Sequence, residues 1–244
     1  MSAREDKKQS ASRSVTQDNA LIIASYAMSL NEKRLLMTAI AQLDPTSHAW
    51  KERCVDVTVL ATDWAETFGI SRGAAYDRLR KAAADLYSRS LRIRGDNTNG
   101  TEIRWISGQE YSAKEGRVTI TFAGKILHYL TGMIDEFTSY DLLGVAGLKS
   151  THSVRLYELA SQFKGTGWRY IELDELREMF CLGGAYQDWR DLKKRVIDRA
   201  CKELTAKSDL DVHYEPVKRG RTVHAIKLKI TQKEQRDLFN DTDW

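Results

Sequence analysis

Apolar and polar positions along this chain switch between helical and strand periods in an order that occurs twice. In the first half, Ser29-Leu30-Asn31-Glu32 reads as a capping box. The helix behind it carries Leu35, Leu36, Ala39, Ile40 and Leu43 on one face and stops at Pro45. Core packing, not a leucine zipper, is the expected use of Leu30, Leu35, Leu36 and Leu43, because their spacing sustains no heptad. Residues 54–60 alternate as a short strand, and Thr62-Asp63-Trp64 opens a short helix ending at Gly69. Ser71 is expected to cap a third helix that runs to about Tyr87 and buries Ala75, Leu79, Ala82, Ala83 and Leu86. β-rich stretches at 90–94 and 103–111 follow, Gly116 turns the chain into 118–122, and a closing helix is expected at 125–133.

The second half repeats this order. Ser150 or Thr151 opens a helix carrying Val154, Leu156, Tyr157 and Leu159, and residues 168–173 form a strand. Asp174 is expected to cap a helix over 175–180, and Gly183-Gly184 makes a turn. A long helix at 186–206 then points Trp189, Leu192, Val196, Ala200 and Leu204 inward. Strands at 210–214 and 222–230 are joined through Lys218-Arg219-Gly220-Arg221, where Gly220 can take the positive φ of a tight turn. Helix, strand, two helices and a β-hairpin is the order of a winged helix. The expected fold is therefore α+β, two tandem winged-helix domains: a flexible arm at 1–14, an N-terminal domain at 15–138, a linker at 139–149, a C-terminal domain at 150–233 and a tail at 234–244.

Composition narrows the function. The 244 residues are 42% apolar and 30% charged, enough for two domain cores. Cys54, Cys181 and Cys201 form no Cys-x-x-Cys pair, which argues against a disulfide framework or a zinc site and fits a reducing cytoplasm. The first residues lack the apolar core of a secretory signal, and no apolar run approaches the roughly 20 residues of a membrane span, so no membrane partner is expected. His48, His128, His152, His213 and His224 are all far apart in sequence, without ligand-type spacing. A nicking enzyme would need a metal-binding pair of histidines, and a P-loop ATPase would need more than Gly147-Leu148-Lys149-Ser150. Neither Gly-x-Ser-x-Gly nor His-Glu-x-x-His occurs. The expectation is a protein that is not an enzyme and uses no cofactor or metal.

Net charge is only +4, so the placement of charge has to carry the argument. On the long helix the apolar stripe leaves Arg190, Lys194, Arg195, Asp198 and Lys202 toward solvent, with Lys193 at the border. Lys218, Arg219 and Arg221 sit at the hairpin tip. A winged helix brings these two regions to one surface, the helix for the major groove and the wing for the backbone or minor groove. The corresponding helix of the first half offers Arg72, Tyr76, Arg80 and Lys81, interrupted by Asp77 and Asp85, a mixture suited to clamping phosphates. Double-stranded DNA is the expected partner.

Particular stretches also resemble a known family. Ser153-Val154-Arg155-Leu156-Tyr157-Glu158-Leu159, Asp174-Glu175-Leu176-Arg177, the run from Tyr186 to Ile197, and Lys218-Arg219-Gly220-Arg221 look like the plasmid replication initiators that bind iterons. Ser29-Leu30-Asn31-Glu32-Lys33-Arg34 is similar to that family's first-domain opening, and the resemblance covers roughly residues 15–231. It implies a C-terminal domain that makes the main specific contacts and an N-terminal one that adds DNA contact and dimerisation. It further implies monomers on direct origin repeats and a homodimer, in equilibrium with them, that represses the initiator's own gene. The host initiator and the replicative helicase are the implied partners. A dimeric winged-helix repressor without initiator activity is the alternative. Arg199 stands where relatives often have a proline, which leaves open whether the helix is kinked there.

Overall fold

The computed structural model describes residues 14–48, 51–94, 100–131 and 136–233. Thirteen residues of the expected arm, Gly132 and Met133 of the expected closing helix and the tail at 234–244 lie outside the described residues.

The chain enters through β1 (Ser14–Asp18) and the short α1 (Asn19–Ile23), then forms α2 (Leu30–Ile40). Ser29 closes the capping box as the sequence requires: its hydroxyl accepts from the Glu32 N–H at 3.3 Å, and Glu32 accepts from the Ser29 N–H at 2.6 Å. Next come β2 (Cys54–Leu60), α3 (Ala61–Phe68) and α4 (Arg72–Tyr87). Gly69 ends α3 in the left-handed region at φ 61. Ser71 occupies the N-cap of α4 without making a side-chain bond, so the expected cap is positional only.

The expected strand at 103–111 is two strands. β3 (Ser90–Arg94) pairs with β4 (Gly100–Arg104), while β5 (Ile106–Ser112) pairs with β6 (Arg117–Ala123) in a sheet ordered β2-β6-β5. The division falls at Trp105, whose fully buried ring meets Tyr26 edge-on at 5.3 Å. β5 and β6 are the wing of the first module, turned at Gly116 with φ 60. α5 (Gly124–Thr131) closes it.

The expected linker at 139–149 is ordered structure. β7 (Phe137–Asp141) pairs antiparallel with β1, and α6 (Leu142–Ala146) follows, capped by Asp141. Tyr140, Leu142, Val145 and Leu148 are all buried, so the segment contributes to the core and does not merely connect.

The second module contains α7 (Thr151–Ser161), β8 (Trp168–Glu172), α8 (Leu173–Met179), α9 (Trp189–Leu192), a π-helical turn (Lys193–Ile197), α10 (Asp198–Lys207), β9 (Leu210–Arg219) and β10 (Thr222–Gln232). Its sheet is ordered β8-β10-β9. Asp174 does not cap α8, which starts two residues earlier than expected, behind Glu172; it lies in the first turn and pairs with Arg177 at 2.8 Å. β9 runs five residues beyond the expected strand at 210–214, tolerating Pro216 because it is an edge strand.

α7 packs on α10 and β9 on one side and on α1 and β7 on the other. At that junction lies a buried ionic cluster. Glu158 takes Lys33 at 2.8 Å and Arg155 at 3.2 Å, and also accepts from Gln17 and Tyr140, each at 2.9 Å. Burial alone would raise the Glu158 carboxyl, but Lys33 and Arg155 hold it below the usual glutamate value. No helix among the described residues is long and apolar enough to cross a membrane.

Candidate nucleic-acid interface

The long basic helix starts at Trp189, not at Tyr186. Asp188 caps it, accepting from the Arg190 N–H at 2.7 Å, while Tyr186 sits ahead of it with a positive φ of 58. Leu192, Val196, Ala200 and Leu204 are buried as expected, but Trp189 is only half-buried, resting edge-on against Tyr214 at 6.4 Å. Trp189 lies in the helix's first turn, at the margin of the core.

Midway, the ladder loosens into the π turn, and the Asp198 N–H reaches back to the Lys193 carbonyl. Five-residue spacing stacks Lys193 over Asp198, and their side chains bond at 2.8 Å. The Tyr214 hydroxyl donates to the same carboxylate at 2.6 Å. Burial raises the Asp198 carboxyl, yet the bonds from Lys193 and Tyr214 and the Lys193 charge leave it below the usual aspartate range. This triad ties the helix to β9, the strand that leads to the wing. The helix is therefore not kinked by proline but widened by a π turn just ahead of Arg199.

Among the recognition candidates, Arg190 and Lys194 are exposed and have no ion pair among the described residues. Arg195 is exposed and touches Asp191 at 3.3 Å, a solvent-screened pair of little energetic weight. Lys193 is half-buried and engaged with Asp198, so it braces the surface. Arg199 is exposed in the next turn without an ion pair among the described residues. The apolar periodicity around it, Val196, Ala200 and Leu204, is the sequence signal that adds it to the cationic face.

At the wing, Arg219 pairs with Thr222, leaving Gly220 and Arg221 as the loop, with Gly220 at φ 63. Lys218, Arg219 and Arg221 are all exposed, and none has an ion pair among the described residues. Their charge is thus available to a polyanion.

The first module is more self-contained. Arg72 and Arg80 are exposed on α4, Tyr76 is half-buried on its flank, and Lys81 pairs with Asp85 at 3.2 Å. α4 packs against β5, side by side with the wing, and burial there raises the Tyr111 hydroxyl, with Arg80 acting in the opposite direction and Tyr76 in the same one. On this wing Arg117 is held by Glu115. The described residues contain no group of three or more His, Cys, Asp or Glu able to hold a metal.

Two winged helices in one chain, each with a helix and a hairpin on one surface, define a tandem winged-helix protein of the DNA-binding class. A family model described as Initiator Replication protein, WH1, matches residues 14–161, and one described as Initiator Rep protein, WH2, matches residues 172–230. The chain belongs to this initiator replication protein family. The first match runs through α7, which the order of elements assigns to the second module.

The chain is 28% identical over 233 residues to a replication initiation protein of Escherichia coli, covering 92% of this chain and 72% of that relative. It is 27% identical over 224 residues to an uncharacterized 27.6 kDa protein of Escherichia coli, covering 87% of this chain and 93% of that one. Among solved structures, the Pi initiator protein in complex with iteron DNA superposes with a TM-score of 0.79 at 21% identity, covering 93% of this chain and 99% of that one. That likeness extends over both modules and is a likeness of fold.

Proposed function

We propose that this chain binds repeated double-stranded sites, iterons, at a plasmid origin and initiates replication there. The observation that carries this reading is the pairing, within the second module, of the exposed cations Arg190, Lys194 and Arg195 on one helix with Lys218, Arg219 and Arg221 on the neighbouring wing. The helix enters the major groove, the wing follows the backbone, and the Lys193–Asp198–Tyr214 triad fixes the angle between them. The first module adds phosphate contacts through Arg72, Arg80 and Lys81, with Tyr76 at their edge.

In this reading the monomer occupies direct repeats and a homodimer occupies an inverted repeat to repress its own gene. The host initiator and the replicative helicase are its protein partners, and the bacterial cytoplasm is its compartment. The chain acts as a binder and not as a catalyst of strand cleavage; incubation with supercoiled origin DNA and magnesium is expected to leave no covalent adduct.

Selection of sites from a random duplex library tests the whole reading. A single enriched sequence of about two helical turns that recurs in tandem beside the gene is expected. Enrichment of only one palindrome, at the gene's own promoter, would instead identify a plain repressor.

A further inference from the structure

The basic helix of the second module keeps its apolar side on the core by a change of phase. At 3.6 residues per turn, a straight α-helix would point Leu192 and Leu204, twelve residues apart, about 120° away from each other. Both are fully buried, and Val196, Ala200 and Cys201 between them are buried as well. The π turn at Lys193–Ile197 supplies the correction, since one extra residue in a turn rotates everything behind it back by about 100°.

The same rotation decides where the cations behind the turn point. Arg199 lies seven residues after Leu192, a spacing that puts both side chains on one stripe of a straight helix and would aim Arg199 at the core. It is instead exposed. Lys202, which a straight helix would set about 80° from Lys194, comes to within about 20° of it. Arg199 and Lys202 are both exposed, and neither has an ion pair among the described residues.

The phase is held from outside the helix. Lys193 and Asp198 bracket the turn and bond at 2.8 Å, while the Tyr214 hydroxyl donates to the same carboxylate at 2.6 Å and anchors it to β9. Along the axis, a rise of 1.5 Å per residue places Arg199 about 13 Å and Lys202 about 18 Å beyond Arg190. The major groove is about 12 Å wide, and a recognition helix touches base edges with its N-terminal residues. Side chains this far down the helix lie level with the sugar-phosphate wall, where a cation neutralises phosphate and reads no base.

We infer that Arg199 and Lys202 form a phosphate clamp at the rear of the recognition helix, and that Asp198 is the positioning residue that turns them toward it. The inference rests on the duplex-binding role proposed above for this helix. Arg190, Lys194 and Arg195 then meet the groove in front while the clamp holds the backbone behind, which fixes how the helix lies in the groove.

Fluorescence anisotropy on the selected duplex and on a random duplex, across a salt series, tests the clamp. Arg199→Gln and Lys202→Gln are each expected to weaken both duplexes by the same factor and to lower the slope of log affinity against log salt by about 0.9. Asp198→Asn removes an acidic charge, which by its field alone would strengthen DNA binding, so a loss of affinity reports positioning. That loss is expected to be several-fold in the parent and absent in a chain already carrying Arg199→Gln and Lys202→Gln, whereas a general loosening of the module would weaken both. Tyr214→Phe, which deletes one hydroxyl and keeps the ring against Trp189, should repeat the pattern more weakly. An unchanged salt slope in either glutamine variant, or an Asp198→Asn loss of equal size in both backgrounds, would overturn the clamp while leaving duplex binding by the parent in place. A parent chain that binds neither duplex would overturn the reading beneath it as well.

Discussion

Lys194 and Arg195 carry the most direct residue-scale consequence of the interface. Both are exposed, and Arg195 gives up only a screened pairing with Asp191, so replacing them leaves the core untouched. Lys194→Ala with Arg195→Ala is expected to lower affinity for the selected site by about 1 to 3 kcal/mol for each base that is no longer read, with unchanged denaturant midpoint. Fluorescence anisotropy and chemical unfolding of the same variant check both halves; retained affinity with retained specificity would remove these residues from the site. Glu158 makes a different prediction. Its folded pKa lies below the ordinary value of about 4.3, so its contribution is complete above that value and disappears as pH falls through the lower folded one. The unfolding temperature should therefore drop steeply below about pH 4. Glu158→Gln should flatten that acid limb while costing roughly 3 to 5 kcal/mol at neutral pH, because Lys33 and Arg155 lose their counter-charge. The exposed cations were legible in the sequence because apolar periodicity fixes which way a helical side chain points. The buried ones were not, since Lys33 and Glu158 lie on helices far apart in the chain and only tertiary packing brings them together.

At the scale of elements, the helices and strands followed from local signals where those signals are self-contained. The Ser29–Glu32 capping box and the left-handed stop at Gly69 are examples, each requiring residues a few positions apart. Gly69→Ala is expected to cost about 1 to 2 kcal/mol, from backbone strain alone, because an added Cβ meets nothing within 4 Å; equilibrium denaturation measures it. Where a partner elsewhere in the chain decides, local pattern misleads. Residues 139–149 carry Gly144 and Gly147 and look like a linker, but β1, more than a hundred residues away, pairs with β7 and makes the segment structural. The π turn is likewise invisible locally, as its Lys193–Asp198 bond is sealed by Tyr214 on β9. The wing supplies its own test. Arg219→Gln with Arg221→Gln should weaken binding to all duplexes alike and reduce the slope of log affinity against log salt by about 0.9 for each phosphate that is no longer neutralised. An unchanged slope would take the wing off the DNA.

For the whole molecule, the two modules differ in how much charge they leave uncommitted. In the second, the helix cations Arg190 and Lys194 and the wing cations Lys218, Arg219 and Arg221 have no ion pair among the described residues. In the first, Arg72 and Arg80 are also without an ion pair among the described residues, but Asp77 and Asp85 share their helix and the wing's Arg117 is held by Glu115. Binding by both modules along one duplex places their helices in successive major-groove segments, about 10 base pairs apart on one face. The second module should then read bases while the first mainly holds phosphates. Hydroxyl-radical footprinting of the monomer on a single selected site, repeated on sites mutated in either half, tests this most directly. Two protected segments on one face are predicted, with base changes under the second module weakening binding far more than those under the first. Protection of a single segment, or equal sensitivity of the two halves, would contradict it.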